Sequence, residues 1–183
     1  MDRRLTAAFV FAATMFGWNA ASAETFAPVP VLGTTVLDLD TQGGNYSGWV
    51  INDVGPINSA RATLQVHRVG TDPKWAPNFS ITVSSGERSA ALNILKSGPD
   101  LPIFVQAIFL VGGKTQDVQP LGTLELNTPL DVAVEWAADG SVTIRVGKET
   151  RTIRLGAPVK MLSFTGSTGE VEFNPLQIGQ VLP

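Results

Sequence analysis

Between Leu130 and Leu155 the chain alternates with a period of two. Leu130, Val132, Val134 and Trp136 are separated by Asp131, Ala133 and Glu135, and Val142, Ile144 and Val146 by Thr143 and Arg145. Such alternation describes strands with one buried and one wet face. Asp139-Gly140 marks the turn between the first two. A two-residue turn there would set Glu135 opposite Ile144, mixing charge with hydrocarbon on one face. A three-residue loop, Ala138 to Gly140, pairs Trp136 with Val142, Val134 with Ile144 and Val132 with Val146, so the large apolar groups share a face. The pattern predicts a type I turn with Gly140 left-handed, closing a bulge. By the same test a four-residue loop, Gly147 to Thr150, sets Ile144 against Ile153 and Val142 against Leu155. The outer face then carries Asp131, Glu135, Thr143, Arg145, Thr152 and Arg154. Mixed charge of this kind is ordinarily solvated surface; the sharper reading is a ligand-binding sheet face.

The same signal runs through the rest of the chain. Strands are expected over Thr35–Asp40, Ser47–Asn52, Arg61–Val69, Phe79–Ser84, Ser89–Leu95, Thr115–Val118, Leu121–Leu126, Val159–Thr165 and Val171–Gly179. In Arg61–Val69, Ala62, Leu64 and Val66 face one way and Arg61, Thr63, Gln65 and His67 the other. Ile103–Val111 is apolar on both faces apart from Gln106, which predicts a central strand covered on both sides. Asn174-Pro175 interrupts the last strand and places it at an edge or a bulge. Gln42–Asn45 and Thr71–Pro77 read as loops. About a dozen short strands punctuated by 18 glycines and 12 prolines, with no amphipathic helix, predict an all-β fold: a two-sheet antiparallel β-sandwich of jelly-roll type.

Composition narrows the setting. Asp2-Arg3-Arg4 precedes an apolar run, Leu5 to Trp18, and Ala21-Ser22-Ala23 is a small-residue cleavage site. This predicts a signal peptide over residues 1–23, one domain over 24–183, and a periplasmic or secreted location. The apolar run is shorter than the roughly 20 residues of a membrane span, so no span is expected after cleavage. There is no cysteine, which removes disulfides and thiol chemistry and fits a bacterial export route. Thirteen Lys and Arg against sixteen Asp and Glu, scattered along 183 residues, leave no basic patch and argue against nucleic acid.

One longer pattern carries a resemblance. Val132, Val134, Trp136, Asp139, Gly140, Val142, Ile144 and Val146, followed by Phe173, Leu176, Ile178 and Gly179, resemble the C-terminal portion of concanavalin A-like lectin/glucanase jelly rolls, including laminin G-like domains. The resemblance implies a jelly-roll sandwich. It implies several activities rather than one, because the fold hosts lectins, glycosidases and lyases.

The resemblance bounds the candidate chemistry. Retaining glycosidases of the superfamily carry alternating carboxylates, E-x-D-x-x-E, with the acid and nucleophile about 5 Å apart. No such triplet occurs here. Asp131 and Glu135 share a face but stand about 13 Å apart along a strand. The resemblance also implies, for lyases, a His and a Tyr as base and acid. The chain has one of each, His67 and Tyr46, and lacks the characteristic Q-I-H strand. No nucleophile elbow or phosphate loop is present, so no catalytic residue is assigned. Asp38-Leu39-Asp40-Thr41-Gln42-Gly43 has the start of a calcium loop, but Trp49 stands where the closing Glu belongs. No cofactor is expected, calcium being the one candidate, with Asp53 and Asp72 as other rim acids. The leading expectation is a non-catalytic, carbohydrate-binding domain using Trp75, Trp49, Arg61, Gln65 and His67, since aromatic rings stack on sugar faces and loops carry function. A His67/Tyr46 lyase and a structural envelope protein without a small ligand are the alternatives.

Overall fold

The computed structural model describes residues 4–6, 33–72 and 75–180. It is all-β. After the short β1 (Arg4–Thr6) come β2 (Gly33–Asn52), β3 (Ser59–Val69), β4 (Asn78–Ser85), β5 (Arg88–Leu95), β6 (Ile103–Val111), β7 (Lys114–Leu124), β8 (Leu130–Trp136), β9 (Ser141–Val146), β10 (Glu149–Arg154) and β11 (Met161–Gly179). The expected signal peptide lies outside the described residues except for β1, which pairs in parallel with residues 36–38 of β2.

One sheet folds over on itself to make two layers. β2 and β11 run antiparallel along most of their lengths. The second half of β11 continues to β3, β8, β9 and β10, forming the first layer. Its first half continues to β4, β5, β6 and β7, forming the second. The fold line crosses β11 between Ser167 and Gly169, where the register shifts, and β2 at Gly44, whose φ is +77°. Approach is close there: a Cβ on Gly169 would stand 2.5 Å from the Arg68 carbonyl oxygen and 2.7 Å from the Phe79 ring. Only glycine fits. The Thr41 and Ser47 hydroxyls, 2.5 Å apart, tie the two arms of β2 across the bend.

The core lies between the layers. Leu37, Leu39, Leu64, Phe164, Val171 and Phe173 come from one side or other of the fold line, and all are buried. Phe164 and Phe173 meet edge to face at 5.5 Å, a favoured aromatic geometry. At the far side, the Arg151 guanidinium donates to the Pro120 carbonyl at 3.0 Å, bringing β10 beside β7 and almost closing the sandwich.

The first hairpin has the expected register: Trp136 pairs with Val142, Val134 with Ile144 and Val132 with Val146. Gly140 has φ +79°. Asp139 caps the loop, accepting from the Ser141 backbone N–H at 2.9 Å and from its hydroxyl at 3.0 Å. These bonds favour the carboxylate and hold its pKa below the ordinary value. The second hairpin is tighter than expected. Val146 pairs with Glu149, Ile144 with Arg151 and Val142 with Ile153. The loop is two residues, with Gly147 at its first position and φ +54°, the glycine site that suits a short hairpin turn. The slip is two residues, so each side chain keeps its face. It places Arg151 opposite Ile144 at the open rim, where the guanidinium reaches β7.

Two expectations about strand ends and covering need correction, and one is resolved. Thr35–Asp40 and Ser47–Asn52 are one strand bent at its glycines, not two. So are Thr115–Val118 with Leu121–Leu126, and Val159–Thr165 with Val171–Gly179. β6 is paired on both edges, but Phe104 on its outer face is 36% exposed, so it is not covered on both sides. Asn174-Pro175 sits in a register shift of β11 between two partner strands, the bulge alternative of the two anticipated.

The hairpin yields a paired prediction. Gly140 and Gly86 both have positive φ, but a Cβ at Gly140 would meet the Ala157 carbonyl oxygen at 2.3 Å, whereas nothing stands within 4 Å of one at Gly86. Gly86→Ala should cost only the left-handed strain, about 1–2 kcal/mol. Gly140→Ala should lower the urea midpoint by clearly more. Separately, Trp136→Ala, on a buried core-facing side chain, should cost about 3–5 kcal/mol in the same measurement.

Candidate functional site

The two outer faces differ in chemistry. Following the register from β2 to β7 gives rows across the second layer. One row is Tyr46, Ser167, Asn78, Leu95, Phe104 and Thr123. The next is Gly48, Thr165, Ser80, Asn93, Gln106 and Pro120. A third is Val50, Ser163, Thr82, Ala91, Ile108 and Val118. The fourth is Asn52, Met161, Ser84, Ser89, Leu110 and Thr115. No position in these rows bears a charge. The middle strands hold short hydroxyl and amide side chains, several of them buried, and the flanking strands hold larger ones that stand above them.

The polar groups on this face are tied together. Gln106 Nε2 donates to Asn93 Oδ1 at 3.0 Å, and Asn93 Nδ2 donates to Asn78 Oδ1. The relay crosses β6, β5 and β4. It leaves Gln106 with an amide oxygen at one end and Asn78 with an amide N–H at the other, neither with a partner among the described residues. Beside it the Ser80 hydroxyl lies 2.7 Å from that of Thr165. Tyr46 and Phe104, 43% and 36% exposed, stand in the Asn78 row on either side of it. They are four strands apart, about 19 Å.

The side chains expected to bind divide among three places. Trp75 is 40% exposed, in the loop that leads into β4. Its backbone N–H bonds to Asp72 Oδ1 at 3.0 Å, and the neighbouring Ala76 carbonyl accepts from the Ser167 hydroxyl at 3.2 Å. This puts the loop at the Tyr46 and Asn78 end of the uncharged face. Trp49 faces the core, stacked on Phe164 with centroids 5.6 Å apart and planes at 21°. Arg61, Gln65 and His67 do share a face, but it is the outer face of the first layer. There Arg61 pairs with Glu135 at 2.5 Å, Gln65 donates to the Asn127 carbonyl at 2.8 Å, and His67 Nδ1 lies 3.1 Å from Asn127 Oδ1. His67 and Tyr46 lie on opposite outer faces and do not meet in a cleft. Sequence reasoning missed Asn78, Asn93 and Gln106. Their signal was present as the Ser80, Thr82, Ser84 alternation and as Gln106, the one polar residue in an apolar strand.

Beyond His67 the first layer carries carboxylates. Asp38 stands opposite Glu172, and Asp40 opposite Glu170, on β2 and β11. Arg68 compensates the second pair through Asp40 and Glu170. The first pair has no such partner, and Asp38 Oδ1 is buried without a hydrogen bond among the described residues. Burial, then the repulsion of Glu170, Glu172 and Asp40, raises the Asp38 pKa against a small opposing pull from His67. Among the described residues no group of three or more His, Cys, Asp or Glu is arranged to hold a metal ion.

No family model and no curated protein sequence matches the chain. Solved structures do. CG-16, a homodimeric agglutinin from chicken liver, superposes with a TM-score of 0.52 at 12% identity, covering 73% of this chain and all, 100%, of the agglutinin. An alginate lyase from Pseudomonas aeruginosa gives 0.53 at 15%, covering 73% and 68% of the two chains. A carbohydrate-binding module from Bacillus subtilis gives 0.50 at 9%, covering 78% and 91%. The chain shares with these structures the two-layer jelly-roll fold. At these identities the likeness concerns the fold, which lectins, binding modules and enzymes share.

Two expectations follow. Trp49→Ala should destabilise the fold by roughly 2 kcal/mol, seen as a lower denaturant midpoint, because the ring is part of the packing. For Asp38, a folded-state pKa above the unfolded value means that folding takes up a proton. The resulting stabilisation is full below the unfolded pKa and is lost as pH rises through the raised one. Melting temperatures from pH 7 down to about 4.5 should therefore rise in the wild type relative to Asp38→Asn, whose neutral amide removes the dependence.

Proposed function

We propose that the chain is an exported, non-catalytic carbohydrate-binding domain, and that it holds a neutral glycan on the outer face of its second layer. The observation that carries this reading is the amide relay Asn78, Asn93, Gln106 on a face without charge. Planar amides and hydroxyls offer the paired donors and acceptors that sugar hydroxyls require. Each amide is oriented by its neighbour, so little ordering entropy remains to be lost on binding. Tyr46 and Phe104 supply exposed rings along the same row, and Trp75 one in the loop at its Tyr46 end, for stacking against sugar faces. The row is longer than one sugar ring, which favours an oligosaccharide or a polysaccharide segment.

The likeness to an agglutinin and a carbohydrate-binding module supports the reading at the level of fold. The likeness to an alginate lyase does not bring a lyase reading with it, because His67 and Tyr46 point away from each other. The charged start, apolar run and Ala21-Ser22-Ala23 support export to the periplasm or beyond.

Titration calorimetry against neutral and acidic polysaccharides tests the proposal. A neutral glycan should bind, and Tyr46→Ala and Trp75→Ala should each weaken it roughly threefold to tenfold at unchanged melting temperature. Gln106→Ala should weaken it by about 1 kcal/mol. If glycan binds but none of the three variants moves the affinity, the face named here is wrong. Silence across the whole panel would favour a structural role.

A further inference from the structure

The outer face of the first layer holds a groove of about 360 Å³, within the size range of small-molecule sites. Its floor is Ala133. In register on one side is Arg61 of β3, and on the other Arg145 of β9. The alanine methyl leaves a gap between two long cationic side chains. Glu135, two residues along β8 on the same face, accepts a hydrogen bond from Arg61 Nη2 at 2.5 Å and makes an ion pair with Arg145 Nη2 at 3.3 Å. Its side chain is 17% exposed, those of the arginines 48% and 56%. One sheltered carboxylate thus fixes two guanidinium groups by one nitrogen each. Among the described residues their Nε and Nη1 donors have no other partner. At the opposite end of the floor Asp131 accepts from the Thr63 hydroxyl at 2.8 Å and keeps its second oxygen.

We propose that this groove is a second ligand site, separate from the glycan face, for a small carboxylic acid with a hydrogen-bond donor on the adjacent carbon, a hydroxy or amino acid. The carboxylate sits over Ala133 between Arg61 and Arg145, whose unused donors form charge-assisted bonds to its two oxygens. Two guanidinium groups against one Glu135 leave an excess positive charge at that end. The donor turns towards Asp131, about 7 Å along the strand from the floor. An acid lacking the donor leaves Asp131 facing the bound carboxylate unrelieved, so the groove discriminates as well as binds. The clamp is set before the ligand arrives, which lowers the ordering cost.

The test is a titration of the full chain with glycolate, L-serine, acetate and glycolamide, followed by arginine side-chain and backbone amide NMR shifts. Glycolate or L-serine should give saturable shifts centred on residues 61, 133 and 145. Acetate should bind at least about threefold more weakly and glycolamide not measurably. Arg145→Gln should reduce affinity at least about tenfold, with Arg145→Lys intermediate because it keeps the charge and loses the fork. Asp131→Asn should erase the preference over acetate. Non-saturable shifts, equal response to glycolamide, or unaltered affinity in Arg145→Gln would each overturn the proposal. Because Arg145 lies off the glycan face, that variant should leave neutral-glycan binding intact, and Tyr46→Ala should leave glycolate binding intact. The two proposals can therefore fail independently.

Discussion

The structure depends on one bent pair of strands. β2 and β11 belong to both layers, and every other strand reaches the molecule through β11 or through a strand attached to it. The bend must turn two paired strands together without losing their hydrogen bonds. Gly44 and Gly169 supply the room on each strand, and Thr168 absorbs the rest of the turn. Thr168 has φ +56°, a conformation that a β-branched residue resists. Its hydroxyl is buried without a partner among the described residues. Its carbonyl accepts from the Gly70 N–H at 2.7 Å, so the loop after β3 holds the bend in place. Local strain here is offset by the burial it allows, with Leu39, Phe79, Phe164 and Phe173 meeting around the fold line.

That geometry gives the two outer faces different chemistry. The first layer wears charges that are tied to neighbours, Glu135 with Arg61 and Arg145, Arg68 with Asp40 and Glu170, and Asp131 with the Thr63 hydroxyl. In the second, the rows from β2 to β7 carry none, and hydroxyls and amides, several bonded to one another, lie between larger neighbours. Charged faces solvate well and recognise opposite charge. Uncharged polar faces compete with water by matched donors and acceptors, which is the recognition problem a sugar poses.

Sequence alone revealed the layers better than the sites. Alternation in β3, β4, β8 and β9 assigned inside and outside correctly, because period two depends only on local pleat. The Gly140 loop was legible because the wrong register would have buried Glu135. The second hairpin was not, because slips of two residues leave the faces unchanged and the turn's own chemistry decides. Alternation also grouped Arg61, Gln65 and His67, which do share a face. It could not say that Tyr46 belongs to the other layer, since that depends on where β2 bends. Trp49 and Trp75 look alike in sequence as tryptophans near glycine or proline. Strand parity buries one against Phe164, and a loop leaves the other exposed. The amide relay was hidden because its members come from three strands whose mutual register no single stretch specifies.

β11, shared by both layers, pairs with a strand from the other end of the described residues. Gly33 pairs with Ile178, and Met161 with Asn52, so the contacts that join the two layers span nearly the whole sequence. Closing such long loops is slow relative to forming hairpins. Until residues 161–179 are available, β3 and β4 lack the strand that connects them, and the earlier hairpins are left with exposed apolar faces. A nascent chain therefore stays short of its native state until residues 161–179 have been made. A polypeptide with that timetable remains threadable for longer than one whose first half folds by itself. Transport in the unfolded state would favour this order of events, and a chaperone that binds extended apolar strands would have its best opportunity in the same interval.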